Sequence, residues 1–512
     1  MNFKNSIYYQ VGRASDLADA DRFIYRILEI IPGFLAWFTI IGVFLLSFYA
    51  PFYSAIFIIV FDIYWILKTI YLSIFLRQNW KKTKYNLSIN WKQKLSNLKY
   101  NRVYHLILLP FYNESYEIIQ KSITSLVLSE YDKKKFIVII AGEERNRAHY
   151  ENTKQKIEKE FPNIFGNILF TMHPSNVPGE MPGKGSNISY AIDMARVKIL
   201  DTLKIKYEDV LVSAFDIDTV IYPQYFECLT WYFLTTEDPL KSSFQPIPVF
   251  NNNIWESPAF SRVVAFSATF WQMIQQERPK RLTTFSSHSV CFKTLYDAGY
   301  WQKNVVSEDS RIFWNLLLAH DGDHKVVPLC YPISMDANLA HNFWHTTKNV
   351  YKQQRRWAWG VENGPYVWFG FLKNRNISII KKIRFTFILL EGYWSLSTNP
   401  LILFFLGWLP VILGGRVFNS TILSYNLPLF TKVLMTISMS GLFLCVLISM
   451  SFLPKPPQGY GRLNKLSMIV QWIMIPVTII LFGALPGLDA QTRLLLGKYM
   501  GFWVTPKYRK IK

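Results

Sequence analysis

Apolar residues gather into long blocks near the two ends of the chain and into short periodic runs between them. Residues 31–50 and 52–76 are almost free of charge, with Asp62 and Lys68 the exceptions. Each can cross a hydrocarbon core, which takes about 20 helical residues. Pro51 predicts a tight turn between them, so residues 1–79 form a segment with two transmembrane helices. The first block starts too late and runs too long for a cleaved signal peptide, and a second follows at once. Residues 376–512 hold three more apolar blocks, at 385–413, 429–453 and 466–485. Ser397, Thr398, Asn399 and Pro400 interrupt the first of these, and Glu391 lies inside it. It therefore reads either as an interfacial helix plus one span or as a two-span hairpin, which makes three or four spans in this module. The mixed stretch 489–499 predicts a helix lying in the interface.

Between these ends, residues 100–375 change character. Apolar runs at 103–109, 136–141, 168–172 and 210–215 predict strands, and helical patterns separate them. In the first helix Ile118, Ile119, Ile123, Leu126 and Val127 share one face. Strands apolar on both faces that alternate with helices predict an α/β fold with a mostly parallel sheet covered on both sides. Chemistry in such sheets gathers at the carboxyl ends of strands. Asn113, Glu143 and Asp216 all fall there.

Composition sharpens this picture. Half of the 512 residues are hydrophobic and 17% are aromatic, as expected of a chain with several spans. The net charge of +21 raises nucleic acid as a partner. Its placement argues against that, because Arg77, Lys81, Lys82 and Lys84 follow the second span and Lys381, Lys382 and Arg384 precede the next block. Such flanks orient spans with the basic side in the cytoplasm and attract anionic headgroups. The basic tail (Lys498, Lys507, Arg509, Lys510, Lys512) favours an even span count by the same rule. The four cysteines show no C-x-x-C spacing, so neither a disulfide frame nor a zinc site is indicated.

Three polar motifs stand in order within the middle segment. Asp216-Ile217-Asp218 follows a predicted buried strand, where two carboxylates can reach a hard cation bridging a diphosphate. Ser307-Glu308-Asp309 opens a helix that Ser307 can cap, and Asp309 can act there as a general base. Gln353, Arg356 and Trp357 lie on an amphipathic helix; Arg356 can donate twice to phosphate and Trp357 can floor a sugar. Lys184, between Gly183 and Gly185, can reach a nucleotide phosphate. His341 and His345 have the spacing of helical metal ligands, but no acidic neighbour completes a zinc motif.

The ordered set D-x-D, S-E-D and Q-x-x-R-W resembles the membrane-embedded family 2 glycosyltransferases, the group of cellulose, chitin and hyaluronan synthases. The resemblance covers residues 103–357 and the tail, where Phe502, Val504, Thr505 and Lys507 resemble the F-x-V-T-x-K gating loop of cellulose synthase. It implies a cytoplasmic GT-A domain at 100–375 that ends in an interfacial helix, in a multi-pass protein of the cell membrane. It implies inverting transfer of a sugar from a nucleotide-sugar donor, a UDP-sugar first, to a glycan acceptor, with Mg2+ or Mn2+ as cofactor. Asp309 would be the base with Glu308 beside it, and Asp216 and Asp218 the metal carboxylates. Asn113, Glu114, Glu143, Lys184 and Asp216 would face the donor. Gln353, Arg356 and Trp357 would hold the diphosphate and the acceptor end, with Trp359 as a second acceptor aromatic. Residues 284–288 fall where relatives carry an acceptor-facing segment. One departure touches the base contact: relatives carry Asp-Asp-Gly where this chain reads Gly142-Glu143-Glu144, so Glu143 would substitute. The rival readings are single-sugar transfer to a lipid, as in the ceramide glucosyltransferase branch, and a non-catalytic scaffold or transporter.

Overall fold

The computed structural model describes residues 6–509, so Lys510 and Lys512 of the basic tail lie outside the described residues. Eight strands form one sheet in the order β3-β2-β1-β4-β7-β6-β8-β5. They are β1 (Tyr104–Pro110), β2 (Phe136–Glu143), β3 (Asn167–His173), β4 (Val210–Ala214), β5 (Val220–Ile221), β6 (Ser242–Phe250), β7 (Ser289–Cys291) and β8 (Lys325–Met335). The first four are parallel neighbours and match the four predicted strands. β7 runs antiparallel to β4 and β6, and β5 antiparallel to β8. The sheet is thus mixed but mostly parallel, as its pattern implied.

The apolar runs explain the centre. Every residue of β2 is buried, and Val138 and Ile140 face one core cluster while Ile137 and Ile139 face the other. Each such side chain contributes about 1.5–3 kcal/mol on leaving water. β6 and β8 carry no such run. Pro246, Pro248, Pro328 and Pro332 interrupt them, and proline normally argues against an interior strand. A register shift between Gln245 and Ile247 lets the two pair in parallel around these prolines.

Two helices, α1 (Asp19–Tyr49) and α2 (Pro51–Ser88), meet at Pro51 as the turn predicted. The C-terminal end of α2 runs on into the α/β domain, where Asn79 donates to Cys330 Sγ at 3.3 Å and Asn86 to the Leu329 carbonyl at 3.0 Å. Ser397–Pro400 does not interrupt its helix, which is continuous over Ile379–Phe404. A side chain from another helical segment ties it in place: Gln491 Nε2 donates to the Tyr393 carbonyl at 2.8 Å and to Ser397 Oγ at 2.7 Å. The break comes later, with a 48° bend into Leu406–Leu413. Glu391 lies mid-helix and pairs with Lys68 and, at 3.1 Å, with Arg281.

By length and composition, three helices can cross a membrane, or four if the bent pair is one span. The third unbent candidate, Arg462–Leu495, touches the α/β domain along its length. Arg262 reaches Gln471 at 2.5 Å near one end, and Arg355 reaches Asp489 at 2.8 Å near the other. The interfacial stretch expected at 489–499 is the last part of this same helical run as far as Leu495.

Candidate active site

Strand ends build the site. β4 ends at Ala214 and delivers Asp216 and Asp218; β8 ends at Met335 and delivers Asp336; the turn before β7 brings Ser286 and His288 to the same edge. The helix Lys184–Ala195 starts on this edge with Lys184, and the helix Glu308–Ala319 starts there with Glu308 and Asp309. Gly183 at φ 151° permits that start, and a Cβ there would meet the Phe502 ring at 2.6 Å.

Lys184 joins the motifs. Its Nζ lies 2.7 Å from Asp216 Oδ1 and 2.9 and 3.0 Å from the two oxygens of Asp309. Burial alone would strip the proton from this lysine; Asp216 and Asp309 reverse that and hold its pKa above the ordinary value. Burial would likewise raise Asp216, but Lys184 and Lys507 hold its carboxyl well below the usual range. Ser286 Oγ donates to Asp216 Oδ2 at 2.7 Å, and Thr284 Oγ1 donates to the Asp309 carbonyl at 2.6 Å. Burial lowers His288 below its usual value. Its Nε2 accepts from Trp301 Nε1 at 3.3 Å, so Nδ1 carries the proton and donates to the Phe285 carbonyl at 2.8 Å.

Asp218 is 2% exposed, and burial raises it despite Lys507 alongside; Asp336 and Asp216 add to the rise. Asp336 is a residue the sequence reading missed, although its place directly after a strand is the signal that located Asp216. Oxygen donors at Asp216, Asp218 and Asp336 are the set hard cations such as Mg2+ or Mn2+ take. Among the described residues, no three acidic, histidine or cysteine side chains already converge on one point. Asp218 is nevertheless a buried carboxylate among others, a place where a cation relieves repulsion, so the residues fit such an ion.

Glu308 is buried, and burial together with Asp309 pushes its carboxyl up to about 8. Its protonated form is therefore favoured at neutral pH. Glu308→Gln, which copies the protonated form, is expected to keep activity within a few-fold at pH 7. In the parent protein activity is expected to fall as pH rises through about 8, where a second carboxylate appears beside Asp309, and the variant should lose that limb. A folded pKa above the unfolded 4.5 also means that Glu308 favours the fold fully below that value and progressively less up to about 8. pH–rate profiles and melting curves of both proteins check the two limbs.

Several expected roles are corrected. Ser307 does not cap its helix; its Oγ donates to Glu362 Oε1 at 2.6 Å, and this carboxylate also takes the Ser307 and Val306 N–H groups. A buried glutamate from a distant segment thus fixes the entry to the helix, which local sequence cannot show. Trp359 does not face an acceptor: it is 1% exposed and donates to Glu362 Oε2 at 2.8 Å. His341 precedes the helix Phe343–Ala358 and packs on Tyr508, while His345 bonds Asn342, so their spacing is not a helical pair.

The other expected residues fall around the same edge. Trp357 lies between the Phe250 and Phe285 rings, Gln353 Oε1 accepts from Asn338 Nδ2 at 3.3 Å, and Arg356 stands 5.1 Å from the Phe502 ring. Glu143 pairs with Arg145, whose guanidinium covers the Tyr112 ring at 4.6 Å. Glu114 takes the N–H groups of Tyr112 and Asn113 at 2.8 and 3.1 Å, so its carboxylate holds the turn and leaves Asn113 exposed. The tail crosses the site: Phe502 lies on Gly183, Thr505 is buried, and Lys507 pairs with Asp218. Val504 is half-buried between them.

The family model Glycosyl transferase family group 2 matches residues 211–482, more than half of the chain. No curated protein matches it. Among solved structures the chain is similar to the mannosyltransferase PcManGT from Pyrobaculum calidifontis in complex with GDP-Man and Mn2+, at 11% identity and a TM-score of 0.40, over 75% of this chain and 98% of that one. It is similar to S. aureus TarS 1-349 in complex with UDP-GlcNAc at 13% identity and a TM-score of 0.35, over 68% and 91% of the two chains. Both TM-scores are low, and the assignment rests on the family model.

Proposed function

Because this chain belongs to the glycosyl transferase family group 2, we propose that it transfers a sugar with inversion from a UDP-sugar to a glycan acceptor at the cytoplasmic membrane face. The observation that carries the reading is the convergence of Asp216, Asp218, Lys184 and Asp309 at one sheet edge, beside the helix that bears Gln353, Arg356 and Trp357.

Asp309 accepts the proton of the acceptor hydroxyl as its oxygen attacks the anomeric carbon and the bond to the diphosphate breaks. Lys184 now holds Asp309 and Asp216 together. An arriving diphosphate competes for its ammonium, which turns Lys184 to the leaving group and frees Asp309 as a base. Arg356 donates to the same diphosphate, and Trp357, braced by Phe250 and Phe285, floors the acceptor sugar. Asp218 and Asp216 would hold a divalent cation, Mg2+ or Mn2+, which would neutralise charge on the departing diphosphate. Glu143, paired with Arg145 beside the Tyr112 ring, faces the base, with Asn113 on the same turn.

This reading takes α1, α2, the bent pair ending at Leu413 and Ile422–Ser451 as the four spans and sets Arg462–Leu495 aside, which leaves two spans in the C-terminal module, one fewer than the sequence pattern suggested. Ile422–Ser451 returns to the catalytic side, since Asn251 Nδ2 reaches the Phe452 carbonyl at 2.7 Å. Arg462–Leu495 then lies along the catalytic domain, and both termini share its side. A cysteine added at the C-terminus should resist an impermeant reagent in sealed cells and react after lysis; labelling before lysis contradicts this orientation.

The activity test is incubation of the purified chain with a panel of nucleotide sugars and Mn2+, with sizing of the product. Release of nucleoside diphosphate with a ladder of products is the expected result. A single added sugar at every donor ratio would move the acceptor to a lipid, and no turnover with any donor would favour the scaffold reading.

A further inference from the structure

The tail cations meet two carboxylates that are themselves locked together. The Asp336 N–H donates to Asp218 Oδ2 at 3.0 Å, and Asn252 Nδ2 reaches both the Asp218 carbonyl at 2.9 Å and Asp336 Oδ1 at 3.0 Å. Both acidic side chains are 3% exposed. Two buried like charges this close require compensation. The chain provides it from residues near its end: Lys507 bonds Asp218 Oδ1, while Arg509 Nε and Nη2 bond Asp336 Oδ2 and Oδ1 at 3.0 and 2.6 Å.

We propose that Asp336 is a further carboxylate of the divalent-cation site, and that Lys507 and Arg509 stand in for the cation until metal binding displaces the tail. The proposal rests on the reading of Asp218 as a metal carboxylate. Formal charge supports it: the acidic pair carries two negative charges, and either the two tail side chains or one divalent ion cancels them. The exchange therefore conserves local charge, and coordination geometry favours the ion. A hard cation gathers several oxygens on one centre, whereas an ammonium and a guanidinium each hold one carboxylate apart from the other. This accounts for three acids near one edge without a ready-made convergent cluster among the described residues. The strap is also incompletely satisfied where it lies, because Thr505 Oγ1 is buried with no hydrogen-bond partner among the described residues. That lowers the cost of its leaving.

A tail that must leave lowers apparent metal affinity by the fraction of molecules in which it has left. Binding of Mn2+ alone to the full chain, followed by electron paramagnetic resonance, reads this without turnover. Lys507→Met/Arg509→Met should bind Mn2+ about tenfold or more tightly than the parent. In that background Asp336→Asn should lose about tenfold of the affinity, and Asp218→Asn should abolish binding. A cysteine placed at Tyr508, which packs on His341, should react faster with a water-soluble maleimide when Mn2+ is added. Cys228, Cys291 and Cys330 are buried, and the half-buried Cys445 is replaced by serine in the labelled protein to keep the background low. If Asp218→Asn leaves Mn2+ binding intact, the metal reading itself fails. If Asp218→Asn abolishes binding but Asp336→Asn does not weaken it, or the double variant binds no tighter, or Mn2+ leaves the labelling rate unchanged, the exchange is wrong and the metal reading stands.

Discussion

Asp309→Asn should reduce transfer by about a hundred- to ten-thousandfold, the range that loss of a general base costs. This corresponds to about 3 to 5 kcal/mol of transition-state stabilisation. The amide keeps the size of the carboxylate but cannot take the acceptor proton, and its remaining oxygen can still accept from Lys184. Donor affinity should therefore change little. It can rise, because a neutral side chain beside Lys184 leaves that ammonium free for the diphosphate. Turnover near the parent rate in metal-replete buffer would take the base role from Asp309. The contrast with Glu308→Gln makes the test specific: two adjacent acids at one helix start are expected to differ by orders of magnitude, since burial keeps Glu308 protonated.

Metal removal has the second large effect. A chelator should abolish transfer, and Mn2+ or Mg2+ should restore it. Asp218→Ala should cut turnover at ordinary metal concentrations by about a hundredfold or more, because the leaving diphosphate loses its main neutralising charge. Its signature is partial rescue at high metal concentration together with weaker metal-dependent nucleotide binding, a pattern that loss of the base does not produce. Asp218→Ala also leaves Lys507 without its partner, so the tail loosens in this variant. Transfer that survives exhaustive chelation would sink the Asp-x-Asp assignment.

Periodicity alone located the catalytic half of the sheet and the long helices near both ends. Strands β1, β2 and β4 are apolar on both faces because helices cover both sides, and that requirement is written locally in their sequence. The same logic placed Asp216, Glu143 and Asn113 at strand ends. β6 and β8 escaped notice because their prolines break the local pattern, and their pairing depends on a register shift that exists only between two chain segments. Helix boundaries near charged or proline residues were illegible for a similar reason. Glu391 sits in mid-helix because Lys68 and Arg281 come to it from elsewhere, and Gln491 ties the same helix in through the Tyr393 carbonyl and Ser397. Long-range polar partners decided the site as well. Glu362 draws the Ser307 hydroxyl away from the helix start, Asp336 joins Asp218, and the last described residues, Lys507 and Arg509, close on Asp218 and Asp336. Residue type and spacing determined which groups can do chemistry, because those depend on short stretches of chain. Which charges meet was left to the tertiary structure, because a buried charge takes whatever counter-ion the fold brings within reach.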